Sequence, residues 1–133
     1  MATGTARTTV VTLTDETTVV GFYGWGMSRI AVDDAPARMR KGAGRYPQPV
    51  ALLARLGVDE RHEGHGLGAA LLADVVLRLV AVADQIGCRG LLIHCESNQA
   101  RAFYRHLVPE LETSPSDPLH LVLLVKDARR SLR

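Results

Sequence analysis

The stretch RHEGHGLGAALL, residues 61 to 72, sets glycine at positions 64, 66 and 68 between charged residues and an apolar helical pattern. Before it stands VALLARLGV, an apolar run fit for a central strand. After it, Leu71, Leu72, Val75, Val76, Leu79, Val82, Ala83 and Ile86 fall on one face of a helix over residues 68 to 86. Asp74, Arg78 and Gln85 lie opposite, and Gly87 supplies the stop. A strand turning through glycines into a helix presents backbone N–H groups that lack intrahelical partners. Those donors and the helix macrodipole attract anions. Glycine there removes side chains that would hold a bulky anion off the backbone, and it permits positive φ. The stretch therefore predicts a turn cleared for a phosphate.

Around this unit, TTVVTL, the turn TDET and TVVGFYGW read as two hairpin-joined strands, and MSRIAV as a candidate third. Residues 33 to 49, rich in Pro, Gly and Arg, read as the longest irregular segment. RGLLIHC reads as a short buried strand, SNQARAFYRHL as a capped helix and LHLVLLVKD as a last strand. The order β-β-β-β-α-β-α-β-β is an α/β (α+β) pattern. Its central strand–helix–strand unit implies a parallel pair with a right-handed crossover, and the flanking hairpins imply antiparallel neighbours, so the sheet is mixed.

With 133 residues the chain is expected to form one domain over residues 1 to 133. Its 47% hydrophobic and 23% charged content excludes a disordered chain. The start, MATGTARTTVV, has no secretory signal pattern, and Asp74 and Arg78 interrupt the most apolar region, so no membrane span and a cytoplasmic location are expected. Cys88 and Cys95 form no Cys-x-x-Cys pair and are expected to be buried and reduced.

The type of phosphate is narrowed by elimination. A mononucleotide loop needs a Lys-Ser or Lys-Thr pair after the glycines, and the lysines here are Lys41 and Lys126. A dinucleotide fingerprint fails because charged residues separate strand from glycines and no acid closes the next strand. His62 and His65 are not the helical pair of a metalloprotease, so they read as loop residues and no metal is expected. Net charge is only +2, but Arg38, Arg40, Lys41 and Arg45 crowd into ARMRKGAGR without an acid, and Gly42 and Gly44 argue against a rigid helix. Such a loop suits a nucleic-acid backbone, or is simply solvated.

Arg61, His62, Glu63, Gly64, His65 and Gly66 fit the R/Q-x-x-G-x-G/A signature of the GNAT N-acetyltransferases, placed after the fourth family strand and before the third family helix. ARLGVDERHEGHGLGAALLADVVLR, QIGCRGLLIHCESNQARAFY and SPSDPLHLVLL resemble successive blocks of that family's TacT-like branch, the aminoacyl-tRNA-acetylating toxins of bacterial toxin–antitoxin pairs. With VVGFYGWG and the Arg-rich stretch leading into PQPVALLARL, the resemblance covers most of residues 19 to 125.

The resemblance implies a GNAT fold whose mixed sheet splays between the fourth and fifth family strands, with acetyl-CoA in the splay. Leu56, Gly57 and Val58 would offer backbone groups to the pantetheine arm. The pyrophosphate would rest on amides over Glu63, Gly64, His65, Gly66, Leu67, Gly68 and Ala69, with Arg61 in the signature. Asn98, Arg101 and Phe103 match positions flanking the coenzyme. Tyr104 matches the family tyrosine that protonates the departing thiolate; helical spacing sets Ala100, Phe103 and Leu107 on the buried face and Tyr104 at its rim. Arg38, Arg40, Lys41 and Arg45 would contact tRNA.

No general base stands out. An α-amine, with a pKa of about 7.7 to 8.0 against about 10.4 for lysine, is already partly neutral near pH 7, so water suffices to take its proton. The branch carries further N-terminal helices, expected to be missing here, and VPELETS replaces its glycine-centred turn. A homodimer completing the cleft and an antitoxin partner are implied. Two other functions fit the residues: a GNAT acting on a small amine or protein N-terminus, and a non-catalytic coenzyme A-binding module.

Overall fold

The computed structural model describes residues 7–12, 19–41 and 45–132. In chain order it has β1 (Arg7–Thr12), β2 (Val19–Ile30), α1 (Ala37–Arg40), β3 (Gln48–Val58), α2 (Leu67–Ile86), β4 (Gly90–His94), α3 (Asn98–Leu107), β5 (Glu112–Thr113), β6 (His120–Leu124) and α4 (Val125–Ser131). One sheet runs β1-β2-β3-β4-β6-β5. β3 and β4 are parallel across the α2 crossover and the other neighbours antiparallel, giving the mixed sheet that the pattern predicts.

The continuous apolar run of β4 is explained by burial on both faces. Leu91 and Ile93 pack with Leu71, Leu72, Val75, Val76 and Leu79 of α2, whereas Leu92 packs on the other face with Ile30, Val50, Met39 and Val122. α2 ends at Gly87, whose φ of 67° is left-handed. Cys88 and Cys95 are buried and free.

Four sequence expectations change. MSRIAV is not a separate strand: β2 runs on through its first four residues to Ile30, because β3 pairs with β2 from Gly21↔Val58 to Ile30↔Gln48. Residues 33 to 49 are less irregular than predicted, since a 3-10 turn (Val32–Asp34) leads into them, α1 lies within them and Met39 is buried against the sheet. The last strand stops at Leu124, and VKD opens α4, where Asp127 is buried. VPELETS supplies β5, with Glu112 opposite Val122 and Thr113 opposite Leu121. The TDET turn lies outside the described residues.

A bulge decides where the site opens. Between β2 and β3 the register steps from Gly24↔Arg55 to Trp25↔Leu53, leaving Ala54 as the extra residue. On its other side β3 meets β4 only at Ala51↔Leu91, Leu52↔Leu92 and Leu53↔Ile93. The two strands therefore part where the bulge falls.

Candidate active site

The parted strands open a cavity of about 650 Å³ beside the N-terminus of α2. Leu56, Gly57 and Val58 line it from β3, Glu63, Gly64, Gly66, Leu67, Gly68 and Ala69 from the turn and helix start, and Phe103 and Tyr104 from α3. Gly64 and Gly66 take φ of 82° and 77°, and a Cβ on either would meet nothing within 4 Å. Gly66 is the N-cap of α2, so the first-turn donors face open space with no side chain in front of them.

Gly68 has a different role from the other two. It is helical, and a Cβ there would come within 3.0 Å of the Phe103 ring. The third glycine thus makes room for α3 and not for an anion.

The burial of α3 shifts the predicted face: Ala100 and Leu107 pack against the core as expected, but Tyr104 takes the inward place assigned to Phe103. Tyr104 is 7% exposed and is the one buried residue of this helix, while Phe103 is 40% exposed with its ring edge-on to Tyr104 at 5.4 Å. The reason is that Tyr104 drops into the core with Leu71, Ile93 and Cys95, closing the inner end of the cavity. Burial, with Cys95 and Glu96 nearby, pushes the Tyr104 hydroxyl up to about 12. It therefore stays a proton donor through the neutral range.

Four candidates do not line the cavity. Arg61 is exposed and paired with Asp59 at 3.5 Å, and His65 is exposed. Asn98 is the first helical residue and not the cap; Ser97 caps, its hydroxyl accepting from the Ala100 N–H at 3.1 Å. Arg101 turns to the β5–β6 loop, donating to the Pro118 carbonyl and the Thr113 hydroxyl, both at 2.8 Å.

His62, Ser97, Gln99, Ala100 and Leu107 line the cavity without having been singled out for it. The His62 Nδ1 is buried without a hydrogen bond, and Asp59 at 3.6 Å is an ion-pair neighbour only when the ring is protonated. Its place inside the signature was the available signal.

The basic stretch divides. Arg38 lies in α1 and grips the buried Asp127 with two hydrogen bonds, 2.8 and 3.0 Å, and Glu112 at 3.2 Å. Those hydrogen bonds hold the Asp127 carboxyl below the usual range, so Arg38 is not the free loop cation that the sequence suggested. Arg40, Lys41 and Arg45 are exposed and make no salt bridge among the described residues.

A glycine-opened helix N-terminus, an unpaired strand edge and a buried tyrosine share one cavity. The profile of the acetyltransferase (GNAT) family matches residues 3–107. The chain belongs to the GNAT family. It is 50% identical over 111 residues to the tRNA-acetylating toxin of Mycobacterium tuberculosis, covering 84% of this chain and 65% of that protein. It is 33% identical over 129 residues to the probable toxin TacT of Sinorhizobium fredii, covering 92% and 71%. This GNAT chain thus spans about two thirds of the length of these relatives. AtaT complexed with acetyl-methionyl-tRNAfMet superimposes with a TM-score of 0.84 over 96% of this chain and 76% of that one; at 21% identity this likeness concerns the fold. Among the described residues, no helix is long and apolar enough to cross a membrane, and no group of three or more His, Cys, Asp or Glu side chains is placed to hold a metal ion.

Proposed function

We propose that the chain transfers the acetyl group of acetyl-CoA to the α-amine of charged aminoacyl-tRNA, as the toxin of a toxin–antitoxin pair. The observation that carries this reading is the single cavity joining Gly64 and Gly66 to Tyr104 along the unpaired edge of β3. Gly64, Gly66 and the free donors of α2 suit a pyrophosphate, and the unpaired groups beyond Leu53 suit the amides of a pantetheine arm. The thiol end then falls beside Tyr104. Tyr104, pushed up to about 12, keeps its proton at neutral pH, so the phenol hydrogen-bonds the developing thiolate and passes its proton to sulfur as the C–S bond breaks.

The substrate assignment is supported by the 50% identity to a protein named for tRNA acetylation. It is supported also by the exposed Arg40, Lys41 and Arg45, which make no salt bridge among the described residues and suit phosphates. A homodimer, an antitoxin partner and a cytoplasmic location belong to the same reading; exposed Val10, Val19 and Met27 on β1 and β2 offer apolar surface for a subunit contact. Incubation with acetyl-CoA and total charged tRNA, followed by mass spectrometry of the released aminoacyl-nucleosides, tests it. Acetylated aminoacyl-adenosine is the expected product. Its absence from a chain that binds acetyl-CoA overturns the substrate.

A further inference from the structure

β4 carries two chemistries on its two faces at the point where the sheet parts. Leu91, Ile93 and Cys95 face the α2 and α3 side together with Tyr104, while Leu92 faces the opposite side with Val122 and Met39. Strand alternation then puts His94 on the side away from Tyr104. The last β3–β4 pair is Leu53↔Ile93, so His94 is the first residue of β4 beyond the pairing, level with the bulge at Ala54.

His94 is set there by its neighbours. Its register partner on β6 is His120, and the two rings stack at 4.0 Å between centroids, 15° from parallel. His120 Nε2 lies 3.4 Å from Asp117, which steadies the second ring from the loop before β6. Neither nitrogen of His94 is engaged in a hydrogen bond among the described residues. The unprotonated nitrogen of its neutral ring is therefore free to take a proton. The charged groups acting on it are His120 from β6 and Asp117 from the loop; burial first, then His120, lowers its pKa against the opposing pull of Asp117. His94 therefore stays neutral, and basic, to lower pH than an ordinary histidine.

We propose that His94 is the general base that accepts the proton of the acceptor amine. This rests on the acetyl-transfer reading of the cavity. His94 does not line the cavity; it is exposed on the opposite face of the sheet. With the coenzyme arm on the α2 and α3 side and its sulfur by Tyr104, an amine that approaches the thioester carbon through the gap between β3 and β4 from that opposite face passes the His94 ring. The amine nitrogen forms the N–C bond as the C–S bond breaks. The nitrogen's surplus proton goes to His94, and the Tyr104 proton goes to sulfur. His94 then loses its proton to water, and Tyr104 regains one from water, so the cycle closes on acetylated amine and free thiol.

The test uses His94→Asn and His94→Gln with acetyl-CoA and total charged tRNA, each variant checked by thermal melting and by calorimetric coenzyme affinity. Two variants are used so that a folding defect in one does not decide the matter. The expected fall in kcat is about 10²-fold, within the range of general base catalysis, with coenzyme affinity within about twofold. On the acid limb, once the pH is below the lowered His94 value, the wild-type kcat/KM should fall with a logarithmic slope of two, because amine and His94 both protonate; the variants should keep a slope of one. In a third variant, His94→Ala, imidazole should restore part of the rate, which a packing role does not allow. Folded variants within about threefold of the wild-type rate and retaining a slope of two overturn the base. Loss of rate matched by loss of coenzyme affinity overturns it equally. If the wild type acetylates no charged tRNA while binding acetyl-CoA, the substrate reading and the base fall together.

Discussion

The two ends of the β3–β4 pair differ although the same strands form both. At one end the strands are bonded, and Met39, the Arg38–Asp127 pair and the Arg89 guanidinium, which donates to Gln48 at 3.2 Å and the Met39 carbonyl at 3.3 Å, close the structure tightly. At the other end, past the bulge at Ala54, the edge of β3 is unpaired and a cavity opens. The glycines follow the same division. A Cβ on Gly90 would strike the Leu123 carbonyl oxygen at 2.6 Å and Met39 at 2.8 Å, whereas one on Gly66 would meet nothing. Glycine at the closed end is demanded by packing; at the open end it is demanded by backbone conformation and by whatever enters.

Substitutions should separate these demands. The largest effect is expected at the closed end. Gly90↔Leu124 pairing fixes the carbonyl that a new methyl would strike, so Gly90→Ala must shift the sheet itself. A loss of about 3 kcal/mol or more is expected, read as a lower urea midpoint. Near-native stability would mean that this end yields more readily than its contacts suggest.

Next comes the chemistry. Tyr104→Phe keeps the buried ring and should keep stability and coenzyme affinity, but slow acetyl transfer by about 10²-fold. The sign of the pH effect follows from the raised pKa: the hydroxyl donates only while protonated, and with a value of about 12 it stays so as pH rises. Wild-type kcat should therefore show no alkaline loss from this group up to pH 10, measured by stopped assays across the range.

At the open end, Gly66→Ala should weaken acetyl-CoA binding about tenfold, since a side chain at φ of 77° is strained by roughly 1 to 2 kcal/mol and relief of that strain shifts the turn that carries the free amides. Gly68→Ala tests the contrast. Its methyl meets the tip of a half-exposed Phe103 ring, which can swing aside, so coenzyme affinity should change less in calorimetry.

The open end was legible because its chemistry is local. Glycines at fixed spacing, the apolar strand before them and the helix after them lie within one continuous segment, and each keeps its predicted type. The closed end was not, because its partners are distant: Arg38 meets Asp127 across 89 positions, and no window of sequence shows that VKD bends into a helix to bring them together. The face of α3 was misjudged for a similar reason. Spacing alone allows Phe103 or Tyr104 inward; in the fold Phe103 lies over Gly68 of α2 and Tyr104 takes the core, a choice made by packing between distant elements. His94 carried no sequence signal, since its place depends on where β3 leaves β4 and on a partner ring on β6.

The smallest effects concern the basic stretch, and they divide it by function. Asp127 has a lowered pKa in the folded chain, with the Arg38 hydrogen bonds as first cause, so the pair stabilises the fold above the ordinary carboxylate value. That stabilisation is lost as pH falls through the folded value. Arg38→Ala should accordingly lower Tm at pH 7, and the gap from wild type should close as pH drops below about 3.9. Arg40, Lys41 and Arg45 are exposed and have no such partner among the described residues, so their triple alanine variant should leave Tm unchanged. If these three meet tRNA phosphates, the variant should lose about 0.7 to 0.9 of log–log salt slope for each contact removed, measured by filter binding of charged tRNA over a salt series. Acetyl-CoA affinity should not move in either variant, because both sites lie at the closed end of the strands. A triple variant with an unaltered slope takes these cations out of RNA binding, while an Arg38→Ala variant that changes the slope but not Tm means that the salt bridge to Asp127 is dispensable to the fold and that Arg38 belongs with the other three.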